Sequence, residues 1–251
     1  MRLLAGTSGY AFKEWKGVFY PPELSDDGWL GFYAGRFPTV EINNTFYRLP
    51  KQDVLRDWAA QVPEPFTFAI KASMRITHHA RLKPECADAL DFLLRNTAVL
   101  GERLGPVLFQ LPPNMQQDLP RLQGFLGLLP PGRRFTIEFR HESWFDENVF
   151  AALRAHDVAL CVGEQEDFAC PVQPTASWGY LRLHRLDYDA DSLGRWAGCI
   201  GAQGWTDTYV YFKHDEGVGS GPPAVSAFVD AFDGRQSIST TRIAAPESAR
   251  R

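Results

Sequence analysis

Residues 39–50 read TVEINNTFYRLP. Val40 and Ile42 are β-branched and apolar, as in a strand, but Glu41 and Asn43 alternate with them. Asn44, Thr45, Phe46, Tyr47 and Arg48 then follow before Pro50 stops the run. A strand of a parallel α/β sheet is covered on both faces and should be apolar throughout. Polar residues are tolerated where such a strand runs out at its carboxyl end, and there the active sites of α/β barrels form. The stretch therefore predicts a barrel strand that ends in the wall of a polar pocket.

Seven further short apolar runs behave the same way: RLLAGTS, FTFAIKAS, PVLFQLPP, FTIEFRHE, VALCVGE, GYLRLHR and TYVYFKHD. Between most of them lie segments with apolar residues at three- and four-residue spacing, as in amphipathic helices. The sixth connection, residues 165–178, lacks that period and is expected to be a loop. Eight strands alternating with helices predict α/β architecture, and 251 residues suit one closed (β/α)8 TIM-type barrel. No GxGxxG or GxxxxGK[ST] signature follows the first strand, which argues against a nucleotide-binding open sheet. The barrel domain is assigned to residues 1–232. The segment 233–251, rich in Ser, Thr, Ala and Arg without a period, is expected to be a mobile tail.

The formal net charge of −4 gives no global attraction to nucleic acid or to an anionic membrane. The four cysteines, Cys86, Cys161, Cys170 and Cys199, are widely spaced and predict reduced thiols rather than a disulfide or zinc framework. The apolar run in MRLLAGTSGY is too short for a signal peptide, and no run approaches a membrane span. A cytoplasmic protein is expected. Oligomeric state is not legible.

Strand period two selects the inward residues. Glu41 shares a face with Asn43, Glu138 with Arg140, and Arg182 with His184, while Ile42, Phe139 and Leu183 face the helices. Lys71, Gln110, Lys213 and His214 close other strands at the same end. Together with GTSGY, FAIKA, LGPVLFQLPP, IEFRHESW, YLRLHR and YVYFKHDEG, the opening stretch resembles the YecE-like family, domain-of-unknown-function family seventy-two. The likeness runs from about Gly6 to Phe232. It implies a TIM-type barrel and assigns no activity. The chain departs from the family pattern at Glu164, where relatives carry an aspartate nearer the strand, and at Arg185, where they often carry glycine.

Three constellations follow. Glu41 and Glu138 are candidate acid and base or nucleophile, with His184 as a further proton carrier; the alternative is an ion network with Lys71 and Arg140. Lys71, Arg140, Arg182, Lys213 and His214 outnumber the carboxylates and predict an anionic ligand, which Asn43 and Gln110 would orient. Tyr47 and Trp144 are candidates for stacking on it, although a covering lid explains most aromatics in these loops. No cofactor is expected. A divalent metal on Glu41, Glu138, His141, His184 and His214 is the minority reading, since HxH and HExxH spacings are absent. His78, in ITHH, is a further candidate for the pocket, and Ser8 a weak candidate nucleophile. The leading expectation is an enzyme, a hydrolase or isomerase, acting on a small anionic or phosphorylated sugar- or nucleotide-like substrate. A nucleic-acid-processing barrel and a non-catalytic ligand-binding barrel stand as alternatives.

Overall fold

The computed structural model describes residues 1–165, 168–185, 187–213 and 221–243. Its strands are β1 (Arg2–Thr7), β2 (Thr39–Ile42), β3 (Thr67–Lys71), β4 (Leu104–Gln110), β5 (Phe135–Glu138), β6 (Ala159–Gln165), β7 (Phe168–Ala169), β8 (Gly179–Leu183) and β9 (Asp207–Phe212). Eight of them are parallel and follow the order β1-β9-β8-β6-β5-β4-β3-β2. The short β7 folds back antiparallel on the end of β6. It occupies the connection without helical period, and the seventh and eighth expected strands are β8 and β9.

The helices are α1 (Trp29–Ala34), α2 (Gln52–Ala60), α3 (Ala87–Thr97), α4 (Leu119–Leu126), α5 (Glu147–Ala155), α6 (Ala190–Gly201) and α7 (Pro222–Ile243). Each of α4, α5 and α6 starts at an aspartate whose carboxylate accepts a backbone N–H of the first turn. These are Asp118 from Arg121, Asp146 from Asn148 and Asp189 from Ser192. The last helix continues past Phe232 to Ile243, across the first part of the segment whose composition predicts mobility. Residues 244–251 lie outside the described residues.

Two apolar cores result. The larger lies between strands and helices and includes Val40, Ile42, Phe139 and Leu183, the residues that alternate with the polar ones. The smaller fills the barrel with Leu4, Ala69, Leu108, Ala159, Cys161, Trp178, Tyr180, Tyr209 and Tyr211. Small residues on β3 and β6 leave room that the large aromatics of β8 and β9 fill. At the amino end, Arg134 forms an ion pair with Asp207, donates to the Tyr209 hydroxyl at 3.0 Å and lies over the Trp178 ring. Arg2 meets the same aspartate at 2.9 Å. That end is stoppered.

The barrel closes where β1 meets β2. Ser8 and Glu41 form a parallel bridge, and the Gly9 amide donates to the Glu41 carbonyl at 2.8 Å. One turn lower a side chain does the joining. The Tyr33 hydroxyl accepts from the Thr7 amide at 2.8 Å and donates to the Thr39 carbonyl at 3.1 Å. Gly6 permits this seam, because a Cβ there would lie 2.1 Å from the Thr39 carbonyl oxygen.

Candidate functional site

At the carboxyl end, Arg182 occupies the centre. It is 5% exposed, and Glu41 and Glu138 are 0% and 2% exposed. Its Nη1 lies 2.6 Å from Glu138 Oε2, and its Nη2 donates to Glu41 Oε2 at 3.1 Å. Its Nε is 3.0 Å from Glu41 Oε1 but off the N–H axis, so that contact is charge attraction without a directed hydrogen bond. The β6 neighbour of Arg182 is Gly163. A Cβ there would sit 3.8 Å from Glu138 Oε1, in the space beside the carboxylate.

Both carboxylates are otherwise saturated. Glu41 accepts from Ser8 Oγ at 2.7 Å, Asn43 Nδ2 at 2.8 Å and the Tyr180 hydroxyl at 2.7 Å. Glu138 accepts from Gln110 Nε2, 2.9 Å from both its oxygens, and from Arg140 Nε at 2.8 Å. Burial alone would raise both acids. The Arg182 guanidinium and the surrounding donors overcome it, holding Glu41 down at about 2 and Glu138 lower still. Two carboxylates ionised at neutral pH cannot serve there as proton donors. The ion network weighed against catalysis is therefore present, and its central cation is Arg182.

His184 follows Arg182 on the same face of β8 and is half-buried. Its Nε2 lies 3.1 Å from Ser8 Oγ, which contacts Glu41 at its other side. Burial and the adjacent Arg182 push the imidazole down to about 3, so it is neutral at ordinary pH. With the single Ser8 proton given to Glu41, the hydroxyl can accept only from the Nε2–H tautomer. Among the described residues His184 Nδ1 then has no partner. The contact reaches from the end of β1 across β9 to the end of β8, and linear spacing gives no sign of it.

Lys71 ends β3 and is half-buried, its Nζ 4.4 Å from the centre of the Phe46 ring. Among the described residues no carboxylate comes within ion-pair distance of that amine. Burial and the Arg182 charge lower it to about 8. His78 stands edge-on to the same Phe46 ring at 4.9 Å, and its Nδ1 lies 2.9 Å from Thr77 Oγ1.

The remaining candidates fall elsewhere. Trp144 is fully buried, stacked on Phe139 at 4.6 Å, with Nε1 donating to the Met115 carbonyl. No face of it is open to a ligand, which corrects the stacking expectation. Tyr47 is 77% exposed and lines a cleft of about 640 Å³ with Arg48, Arg75 and Phe92, beside α3 rather than over the ion triad. His141 is occupied locally, Nδ1 meeting Ser143 Oγ at 2.9 Å. Lys213 is exposed just beyond β9, and His214 lies outside the described residues. Glu164 accepts from the Tyr188 hydroxyl at 2.6 Å and Trp196 Nε1 at 3.0 Å, with Arg185 at 3.6 Å. The two positions that depart from the family pattern thus contact one another at the rim. Sequence reasoning missed Tyr180, although it precedes Arg182 by two residues and so shares its inward face.

Among the described residues no three His, Cys, Asp or Glu side chains are grouped to hold a metal ion. Arg182 itself occupies the place between Glu41 and Glu138 that a divalent ion bound by both would need. All four cysteines are free thiols. No helix among the described residues is long and apolar enough to cross a membrane.

Residues 4–249 match the sequence profile of the family described as "Protein of unknown function DUF72". The chain belongs to the DUF72 family. It is 36% identical to UPF0759 protein YecE of Escherichia coli K12 over 114 residues, 45% of this chain and 42% of that protein. It is 32% identical to UPF0759 protein YunF of Bacillus subtilis over 139 residues, 50% and 47% of the two chains. The matched stretches thus span less than half the length of these relatives. Among solved structures, a DUF72 protein from Thermotoga maritima superposes with a TM-score of 0.73 at 23% identity, covering 94% of this chain and 100% of the other. One from Enterococcus faecalis gives 0.77 at 16% identity, covering 92% and 95%. At these identities the likeness carries the fold. It agrees with the α/β TIM-type barrel expected from the strand pattern.

Proposed function

We propose that this DUF72 barrel is an enzyme whose mouth binds a small anionic, phosphorylated substrate and moves a proton on it. One observation carries the reading: among the described residues the carboxylates at the mouth are used up and a cation is left over. Glu41 and Glu138 face Arg182, Arg140 and Lys71, two negative charges against three positive ones, and Lys71 has no acid partner among the described residues. Half-buried surplus charge is costly unless something meets it, and a phosphoryl dianion matches it. Arg140, its side chain 29% exposed, offers its remaining donors to the same ligand.

His184 is the proton acceptor in this reading. Its Nδ1, which has no partner among the described residues, takes the proton, and Glu41 steadies the resulting imidazolium through Ser8. An imidazole held near 3 by burial and by the Arg182 charge is a poor base. A bound anion offsets the Arg182 part of that shift, so binding raises the basicity of His184. Glu41 and Glu138 act as positioning residues that hold Arg182 and Ser8. Hydrolase and isomerase chemistry both accommodate such a proton transfer.

The test is a thermal melt in inorganic phosphate against chloride at equal ionic strength. Phosphate should raise the Tm, corresponding to about 2.7 kcal/mol at a hundredfold excess over Kd. Lys71→Met should fold and lose most of the effect. Equal Tm in both salts would remove the anion site and with it this function.

A further inference from the structure

We propose that Lys71 is an amine nucleophile that forms an iminium with the carbonyl carbon of an anionic aldehyde or ketone held at the barrel mouth. The anionic character of the substrate rests on the function proposed above; the amine chemistry rests on the surroundings of Lys71 itself. Its backbone is pinned, the carbonyl accepting from Thr45 Oγ1 at 2.7 Å and the residue pairing with Leu108 in the ladder. Its stem therefore emerges at a fixed place on the mouth. One side of the amine is the Phe46 ring, itself buried, which offers no hydrogen-bond acceptor. Among the described residues the charged groups acting on it are Arg182 and Arg140 as cations and Glu41 and Glu138 as anions, and both anions are bound by the arginines.

A desolvated lysine beside other cations is the arrangement that activates an amine toward carbonyls. Lowering from 10.5 to about 8 leaves a few hundred times more free amine at neutral pH, on the order of one molecule in ten. The step balances without an outside reagent. The ammonium gives one proton to a carrier, and the nitrogen lone pair forms the C–N bond as the C=O π pair moves to oxygen. A second proton passes from nitrogen to that oxygen. The carrier then returns the first, the C–O bond breaks, and oxygen leaves as water while the nitrogen pair makes C=N⁺. Ammonium and carbonyl have become iminium and water, with charge conserved. His78, against the same Phe46 ring, is placed to be the carrier. The iminium acidifies the adjacent C–H, the bond that His184 would then deprotonate.

Reductive trapping tests this. The full chain is incubated with dihydroxyacetone phosphate or glyceraldehyde 3-phosphate and sodium cyanoborohydride, then digested and mapped by mass spectrometry. The adduct should fall on Lys71 in roughly tenfold or greater excess over the exposed Lys13, Lys16, Lys51 and Lys83, following the free-amine fraction. Millimolar inorganic phosphate should suppress it. Lys71→Arg keeps the cation and loses the nucleophile, so it should retain the phosphate-induced rise in Tm and give no adduct at the site. Labelling spread evenly over the lysines, or none on Lys71 while phosphate still stabilises the protein, overturns the amine role and leaves the anion site standing. An adduct at Lys71 with no phosphate effect supports the amine and removes the anion site. Absence of both removes both.

Discussion

Arg182 shows how little a residue's type says about its task. As an arginine at the carboxyl end of a barrel strand it could meet a substrate; as placed, it is the buried cation between Glu41 and Glu138. Its removal leaves two ionised carboxylates without their main counter-charge. Breaking a buried pair from one side costs about 3–5 kcal/mol, so Arg182→Met should lower the Tm by on the order of 10 °C. Adding Glu138→Gln to that variant should recover part of the loss. A melt of the single variant within a degree or two of the parent would show that the triad does not hold the barrel. The inward facing of Arg182 was legible, because residues two apart on a strand share a face. That both carboxylates close on it at once was not, since Glu41 and Glu138 lie 141 and 44 positions away in the chain.

At the scale of elements, the seam between β1 and β2 depends on a residue of α1. The Tyr33 hydroxyl takes the place of a strand-to-strand hydrogen bond. Tyr33→Phe should leave a buried amide and carbonyl with one partner fewer, at about 1–3 kcal/mol, and speed exchange of the Thr7 amide hydrogen. Unchanged exchange at Thr7 would mean the strands close without the hydroxyl. The eight parallel strands, their order and their inward faces followed from apolar runs and period two. Trp144 did not, because a loop aromatic can pack down or stand up, and its partners Phe139 and Met115 decide which. The approach of Ser8 to His184 was equally hidden, since it exists only once the first and last strands of the barrel are neighbours.

For the whole molecule the buried charges set the response to pH. His184 is held at about 3 against an ordinary 6.5, so between those values the unfolded chain binds a proton the folded one refuses. The stability that His184 contributes is therefore complete above about pH 6.5 and falls as pH drops below it. Glu41, at about 2 against 4.5, adds a loss in the same direction below pH 4.5, and Glu138 does likewise. Each group contributes about 1.4 kcal/mol per pH unit across its window. Urea midpoints measured from pH 7.5 to 4 should decline first by one proton's slope and then more steeply. His184→Gln should abolish the first decline and keep the second. A flat profile down to pH 5 in the parent chain would show that His184 titrates normally.

The stopper of Arg134, Asp207, Tyr209 and Trp178 turns the barrel into a cul-de-sac. Whatever reaches Lys71 and His184 arrives through the mouth and must back out through it. Among the described residues the stopper side chains close the opposite end, so a product leaves by the side its substrate entered. For chemistry done at this site, product and substrate therefore compete for one doorway, and turnover can run no faster than the doorway clears.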